Sequence, residues 1–488
     1  MRFFFCSLFR LTSHVSLLTF FLLLCFPAVV FSQQRWEKVF GYPNGAEEGQ
    51  AVRELPGGGY IIAGHTSSIG AGVYDGYLLR VSAAGDTIWT KTYGGSGNEN
   101  WDSVLRTSDG GYFIGGYTSS FGAGNFDIWL ARVDSSGGTL WTKTYGRTRS
   151  DGYPATCTQP TSEGGYITVT TTMSLGDTTG DIWLVKTNAS GDSLWTKTYG
   201  GPRAEEGWSV QQTSDGGYII AGQSYSFGPG TPTYPNVYLI KTNASGDTLW
   251  TKTFGGARSD YGRSVRQTQD GGYLLAGSTA SFGAGGYDVY LIKTNPSGDT
   301  LWARTYGGSS EDRCGDFASA QPTSDGGYIV TGLTFSFGAG DRDAYLIKTN
   351  ANGGVLWTKT FGSTAGDEGN SVIQTSDGGY LIVGPTFRTG TEDVYIIKTD
   401  ANGNSGVEEE NKGFEDTRVQ GFKITPNPFA VYTAVPGHFS ERFALYDVSG
   451  RKVGSFKGDR IGEGLAAGVY FLRAEKGDRK PVRIVKVR

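Results

Sequence analysis

Seven carboxylates occupy one place in a repeated pattern. Glu99, Asp151, Glu205, Asp260, Asp312 and Asp367 each lie ten residues after a tryptophan, and Glu47 lies eleven after Trp36. A ring of such acids has the oxygen chemistry to hold calcium or a cationic ligand. It is less suited to general acid–base work, which needs one protonated and one ionised group in unlike surroundings, whereas repetition supplies similar ones. The same residue types also accept hydrogen bonds from exposed backbone amides, a structural use open equally to the recurring Asp127, Asp181, Asp288, Asp343 and Asp393. Beyond the apolar N-terminal segment the chain carries only His65 and His438. That excludes a His-dependent triad and a multi-histidine metal site. Cys157 and Cys314 fall at different offsets in different repeats, so no disulfide is expected.

Binding residues are sought where the copies differ, because what all copies share is needed to build the repeat. Trp101 and Trp208 are tryptophans outside the recurring positions and are placed just before an inner strand. One long loop, Phe227–Pro235, carries Tyr234; another, Arg313–Phe317, ends on Phe317; and Arg388 replaces a Gly-Ala-Gly loop. Trp101, Trp208, Tyr234, Phe317 and Arg388 are therefore the candidate ligand contacts, their faces suited to stacking on sugar rings or gripping a protein. The alternative for each is filling space between repeats.

The elements that must position these residues follow from the repeat itself. Gly-Gly-Tyr recurs with its tyrosine at Tyr60, Tyr112, Tyr166, Tyr218, Tyr273, Tyr328 and Tyr380, and the tryptophans Trp36, Trp89, Trp141, Trp195, Trp250, Trp302 and Trp357 are 52–55 residues apart. That period accommodates four short strands and their turns. In the copy around Tyr273, Ser264–Thr268 alternates, Asp270-Gly271 marks a hairpin, Asp288–Lys293 is nearly continuously apolar, and Leu301–Tyr306 alternates again with basic Arg304 guarding an outer edge. No stretch of useful length has helical periodicity. The fold class predicted is all-β: a seven-bladed β-propeller over residues 36–404, with Trp36–Gly41 supplying the outer strand that the last repeat lacks. Turns such as Asn188-Ala-Ser-Gly-Asp-Ser-Leu-Trp195 resemble the tryptophan-docking motif of quinoprotein-type propellers, and Gly-Gly-Tyr with an outer tryptophan is similar to kelch-type blades. Neither a sialidase-type arginine cluster nor a distinctive quinone-binding set accompanies them.

The ends read differently. Residues 1–32 carry two arginines and then a long apolar run closed by small residues, as in a secretory signal peptide, with no integral membrane segment expected after cleavage. Residues 405–421 are a charged linker. Residues 422–488 hold 13 Lys+Arg against 6 Asp+Glu. They contain Pro426-Asn-Pro428, Tyr446-Asp-Val-Ser-Gly-Arg451, Gly468-Val-Tyr470 and a basic last strand, and resemble the type A C-terminal sorting domain of type IX secretion, a small Ig-like β-sandwich. The resemblance implies export through type IX machinery to the exterior or outer-membrane surface. An acidic repeat region argues against a nucleic-acid partner. Taken together, the sequence predicts a secreted or surface-displayed binding or adhesion protein whose ligand is a glycan or another surface protein. It needs no cofactor unless calcium sits among the rim acids. The alternatives are an enzyme acting on polysaccharide with carboxylates among Glu99, Glu205, Asp312, Asp316 and Asp367, and a structural surface-layer component.

Overall fold

A computed structural model describes residues 35–42, 45–175, 179–406, 442–447, 451–457, 460–461, 465–466, 468–474 and 482–486. The expected signal peptide, the linker from residue 407 onward and the opening of the sorting segment lie outside the described residues. Among the described residues no helix is long and apolar enough to cross a membrane.

Each repeat folds as an antiparallel meander. In the first, Glu47–Glu54, Tyr60–Thr66, Asp75–Val81 and Thr87–Tyr93 pair in sequence order, and the pattern recurs to give seven such sheets between Trp36 and Thr399. The last sheet takes its outer strand from the other end of the chain. Trp36–Phe40 runs antiparallel to Asp393–Thr399, pairing Trp36 with Lys398 and Phe40 with Val394. The ring closes at its centre as well, where Asn370 donates to Glu48 at 2.7 Å and the backbone N–H of Ser376 donates to Glu54 at 2.7 Å. The described repeat region is thus a β-propeller.

The turn chemistry explains the strand ends. In Thr268-Gln-Asp-Gly-Gly272, Gly271 adopts φ +79°, open to glycine at little cost, and Asp270 accepts from the Thr268 hydroxyl at 2.6 Å and from the Gly272 N–H at 3.0 Å. The same carboxylate receives Lys293, whose stem is buried in the third strand, at 2.8 Å. Lys241–Asp215, Lys348–Asp325 and Lys398–Asp377 repeat this pair. Third strands such as Asp288–Thr294 are buried along their whole length because a neighbouring sheet covers each face.

Adjacent sheets are joined at the periphery by the tryptophans. Trp250 lies 5.9 Å from the ring of Tyr273 in the next sheet, and a Cβ on Gly298 of that sheet would come within 2.8 Å of the indole. Only glycine leaves that seat open. The basic residues of the outer strands do more than guard an edge: Lys197, Lys252 and Lys38 reach Asp247, Asp299 and Asp86 in the turn of the following sheet at 2.9, 2.9 and 2.6 Å.

The sixth sheet departs from the rule. Its inner strand is split into Asp312–Cys314 and Ala320–Pro322, both paired with Tyr328–Thr334, and the residues between form an enlarged bulge. The N–H of Gly315 donates to Thr331 O and the Thr331 N–H to Ser319 O, each near 3 Å (3.0 and 2.9 Å), so the interruption leaves the facing backbone satisfied. The expected lengthening of a loop over Arg313–Phe317 is corrected accordingly: Arg313 and Cys314 are in the strand, and the extra residues interrupt it.

In the tail, Lys452–Lys457, Arg442–Asp447, Gly468–Ala474 and Val482–Lys486 form one four-stranded antiparallel sheet in that order. Phe443, Leu445, Ile461, Tyr470 and Leu472 make its small core.

Candidate functional site

The seven repeated carboxylates are sealed at the junctions between sheets. Glu47, Glu99, Asp151, Glu205, Asp260, Asp312 and Asp367 are 0–1% exposed. Each accepts a backbone N–H from the preceding loop at 2.6–2.8 Å, from Tyr42, Gly95, Arg147, Gly201, Gly256, Gly308 and Ser363 respectively. Six also accept a hydroxyl from the end of the second strand, Thr66, Thr118, Thr172, Ser224, Thr279 or Thr334. Oxygens committed in this way tie a loop to a strand. Among the described residues no three His, Cys, Asp or Glu side chains converge to hold a metal ion.

Arg388 belongs to this junction system. Its Nε donates to Asp367 at 3.1 Å where other repeats use a hydroxyl, and its Nη2 donates to Tyr395 Oη at 2.6 Å beside Glu37 of the closing strand. Its charge is thereby spent on stitching the last sheet, which corrects the expectation of a ligand contact. Trp101 needs the same correction. It lies within the strand Glu99–Arg106, is 0% exposed and stacks on Trp129 with centroids 4.1 Å apart. Trp208 also sits inside an inner strand, and the other candidates divide: Tyr234 is exposed on its loop, whereas Phe317 on the bulge lies 6.2 Å from Trp208.

A cavity of about 360 Å³ opens at the loop-rich mouth of the channel, lined among others by Tyr261, Arg263, Arg313, Asp316, Arg342 and Glu368. Arg263 organises one side. Its guanidinium lies 3.7 Å from the Trp208 ring centre, its Nε is 2.9 Å from Asp316, and it donates to Gln223 at 3.1 Å. Such a sandwich holds the cation over an aromatic face while its edge is satisfied. Next to it Tyr261 and Tyr287 stack at 5.7 Å, with Arg313 4.4 Å above Tyr287. Across the mouth Glu48 accepts from Asn370 and stands 3.8 Å from His65, whose Nδ1 is 3.3 Å from Asn100.

The mouth residues come from places that the repeat leaves free. The residue after each sealed carboxylate is Glu48, Asn100, Gly152, Glu206, Tyr261, Arg313 or Glu368, and the residue before each third strand includes Tyr287, Arg342 and Glu392. A β-bulge in several inner strands turns out one further side chain: register slips between Gly49 and Ala51, Trp101 and Ser103, Gly207 and Ser209, and Gly262 and Ser264. The residues inserted are Gln50, Asp102, Trp208 and Arg263. Of the earlier candidates the structure therefore gathers Trp208, Phe317 and Asp316 at one site and leaves Trp101, Arg388 and Tyr234 outside it. Glu48, Arg263, Arg313, Arg342, Tyr261 and Tyr287 were missed. For Glu48, Tyr261, Tyr287, Arg313 and Arg342 the signal was variability immediately beside a recurring acid; Arg263, three residues after Asp260, had none.

The acids here hold protons unusually well. Burial, opposed by the Asn370 hydrogen bond and reinforced by Glu368, pushes Glu48 up to about 7. Burial and the nearby Glu48 push Glu392 up to about 7, and burial pushes Asp343 up to about 6. These groups bind protons more tightly folded than unfolded, so their contribution favours folding at low pH and fades as pH rises from the ordinary carboxylate value toward 7. His65, lowered by burial, opposes them below its ordinary value, one proton against three. The turn aspartates act lower down: burial is outweighed by the hydroxyls of Thr213 and Thr323, then by their lysines and the turn amides, which bring Asp215 and Asp325 to about 2, so their support is lost only as pH falls through that range. The expected result is a melting temperature higher at pH 5 than at pH 7.5, with Glu48→Gln flattening the slope. A melting temperature that rises steadily to pH 7.5 in the native chain contradicts it.

No known family profile matches the chain. The regulatory protein FlaEY of Caulobacter vibrioides is 23% identical over 340 residues, covering 62% of this chain and 32% of that protein. The chain thus spans about a third of that relative's length. Among solved structures, the Pan2 WD40 domain of Neurospora crassa is similar with TM-score 0.44 and 9% identity, covering 75% of this chain and 94% of that one. The β-propeller domain of the Trilobed protease from Pyrococcus furiosus is similar with TM-score 0.39 and 11% identity, covering 76% and 98%. The chain's own sheet order and ring closure make its described repeat region a β-propeller.

Proposed function

We propose that the chain is a secreted or surface-displayed binding protein, a seven-bladed propeller followed by an Ig-like sorting module, and that the channel mouth takes a glycan bearing carboxylate or sulfate groups. The observation that carries this is the stacked pair Tyr261 and Tyr287 with the exposed Arg313 above it, beside the Arg263–Trp208 sandwich. Flat rings supply faces for sugar C–H groups and the guanidinium supplies a fork for an oxyanion. Export through type IX machinery rests on the motifs of residues 422–488, and its expected signature is loss of the protein from the medium and cell surface when that segment is deleted.

The test is a glycan array followed by titration with the full chain. Tyr287→Ala and Arg313→Ala are each expected to weaken binding about tenfold, some 1.4 kcal/mol, with the melting temperature nearly unchanged. Binding unaffected by both changes, or no glycan bound at all, defeats the reading. The rival reading, an enzyme acting on polysaccharide, is favoured by one observation: Glu48 and Glu392 are both pushed to about 7, where a carboxyl group can serve as a general acid. It requires product release that Glu48→Gln abolishes.

A further inference from the structure

A second cavity, about 300 Å³, lies in the channel toward the tight-turn face, with Arg53, Arg266, Gln159, Gln321, Gln374 and Glu54 in its wall. Ala318 of the sixth-sheet bulge also borders it, whereas Gly315 and Asp316 of the same bulge border the mouth cavity. The bulge therefore stands between the two spaces. Arg53 comes from the inner strand of the first sheet and Arg266 from that of the fifth.

These two arginines lack the carboxylate partner that several others of the ring have, as does Arg80, which donates only to the backbone O of Tyr60 and Val81. Arg132 has Asp109, Arg263 has Asp316 and Arg342 has Glu368. Arg53 donates to its neighbour Val52 O at 2.7 Å and Arg266 to Val265 O at 2.9 Å, and neither ion-pairs with a carboxylate among the described residues. Glu54, though in the same wall, is taken up by the N–H and hydroxyl of Ser376, both at 2.7 Å. A guanidinium has five N–H donors, so most of those on each side chain are left for the cavity. Both side chains are half-buried, and both line this cavity. Burial and then the charge of Arg266 push Arg53 down to about 10, and burial lowers Arg266. Two like charges lining one cavity, with amide side chains around them, call for a counter-charge.

We infer that the tight-face end of the channel binds a small oxyanion, held between Arg53 and Arg266 with the amides of Gln159, Gln321 and Gln374 in reach. The volume equals that of about ten water molecules, so a carboxylate or sulfate on a small organic molecule fits as well as a free ion. This site is independent of the glycan reading of the mouth.

The test uses the purified full chain exchanged into chloride. Melting temperature is followed against sulfate, phosphate and citrate at constant ionic strength. At least one of them is expected to give a saturable rise of about 2–4 °C, absent from Arg53→Gln and Arg266→Gln. A response to sulfate or phosphate alone identifies the free ion as ligand, and a stronger response to citrate identifies an organic acid. In chloride alone Arg53→Gln is expected to melt higher than the native chain, because it removes the repulsion. A rise shared equally by the native chain and both variants is the general salting effect of sulfate and overturns the inference. So does no rise at all. Should either variant fail to fold, calorimetric titration of the native chain with the same anions decides: one site per chain supports the inference, and no heat of binding refutes it.

Discussion

Deleting Trp36–Phe40 is expected to lower the melting temperature by about 10 °C or more and to produce concentration-dependent oligomers. The five residues form the outer strand of the last sheet and do three things there. They satisfy the edge of Asp393–Thr399, which otherwise presents a row of unpaired backbone groups to other molecules. They seat Trp36 6.2 Å from Tyr60, with its indole N–H donating to Ala83 O at 3.0 Å, so the strand ties the last sheet to the first. They also place Glu37 to accept from the Tyr395 and Ser405 hydroxyls and Lys38 to meet Asp86 at 2.6 Å. Loss of a large, fully buried aromatic costs about 3–5 kcal/mol; half-buried Trp36 contributes part of that, and here the sheet edge is lost with it. Thermal melts and light scattering check the result. A deleted chain that stays monomeric and melts within about 2 °C of the parent shows that the ring does not depend on this strand.

Trp101→Ala is expected to destabilise the fold by about 3–5 kcal/mol, read as a lowered denaturation midpoint, with no loss of mouth binding beyond that caused by unfolding. The indole is wholly enclosed between the first two sheets, stacked on Trp129 and edge-on to Tyr93 at 6.1 Å. Gly76 makes room for it: a Cβ there would lie 2.3 Å from the indole nitrogen. Truncation leaves a cavity that a β-sheet sandwiched on both faces collapses around only in part. Trp208→Ala supplies the contrast. That side chain is 8% exposed and supports Arg263, so its loss is expected to free the guanidinium and disturb binding. Equal and small stability changes for both variants contradict this assignment of roles.

The two tryptophans also show how far the sequence could be read. Period, strand order and the pairing of Trp36–Phe40 with Asp393–Thr399 were legible because each rests on local pattern: alternation, Asp-Gly turns, and a count in which one strand was missing at one end and spare at the other. The position of a side chain relative to the channel was not, because it depends on a register slip that no composition or period announces. Trp101 lies two residues after its sealed acid and turns into the core, whereas Trp208 lies three after and occupies the inserted position that faces the mouth. A single residue of offset separates a core filler from a site residue. The acids illustrate the opposite case. The residues most regular in the sequence, Glu99 and its counterparts, are the ones consumed by backbone amides, and Glu48, Tyr261, Arg313 and Glu368 of the mouth stand one position later, where regularity ends. Arg388 was misread for a third reason: its partners, Asp367 and Tyr395 beside Glu37, are brought together only when the ring closes.

That closure has a mechanical side. Gly406 packs against the backbone of Arg35, and Trp36 pairs with Lys398, so the chain enters and leaves the ring side by side at the same end of one antiparallel pair. Tension applied between the segments that precede and follow the ring loads the Trp36–Lys398 rung first and then each rung in turn, as a zip opens, rather than all five in shear. Whatever tethers the two ends therefore bears on the joint of the ring that yields most easily, while the remaining six sheets carry no load.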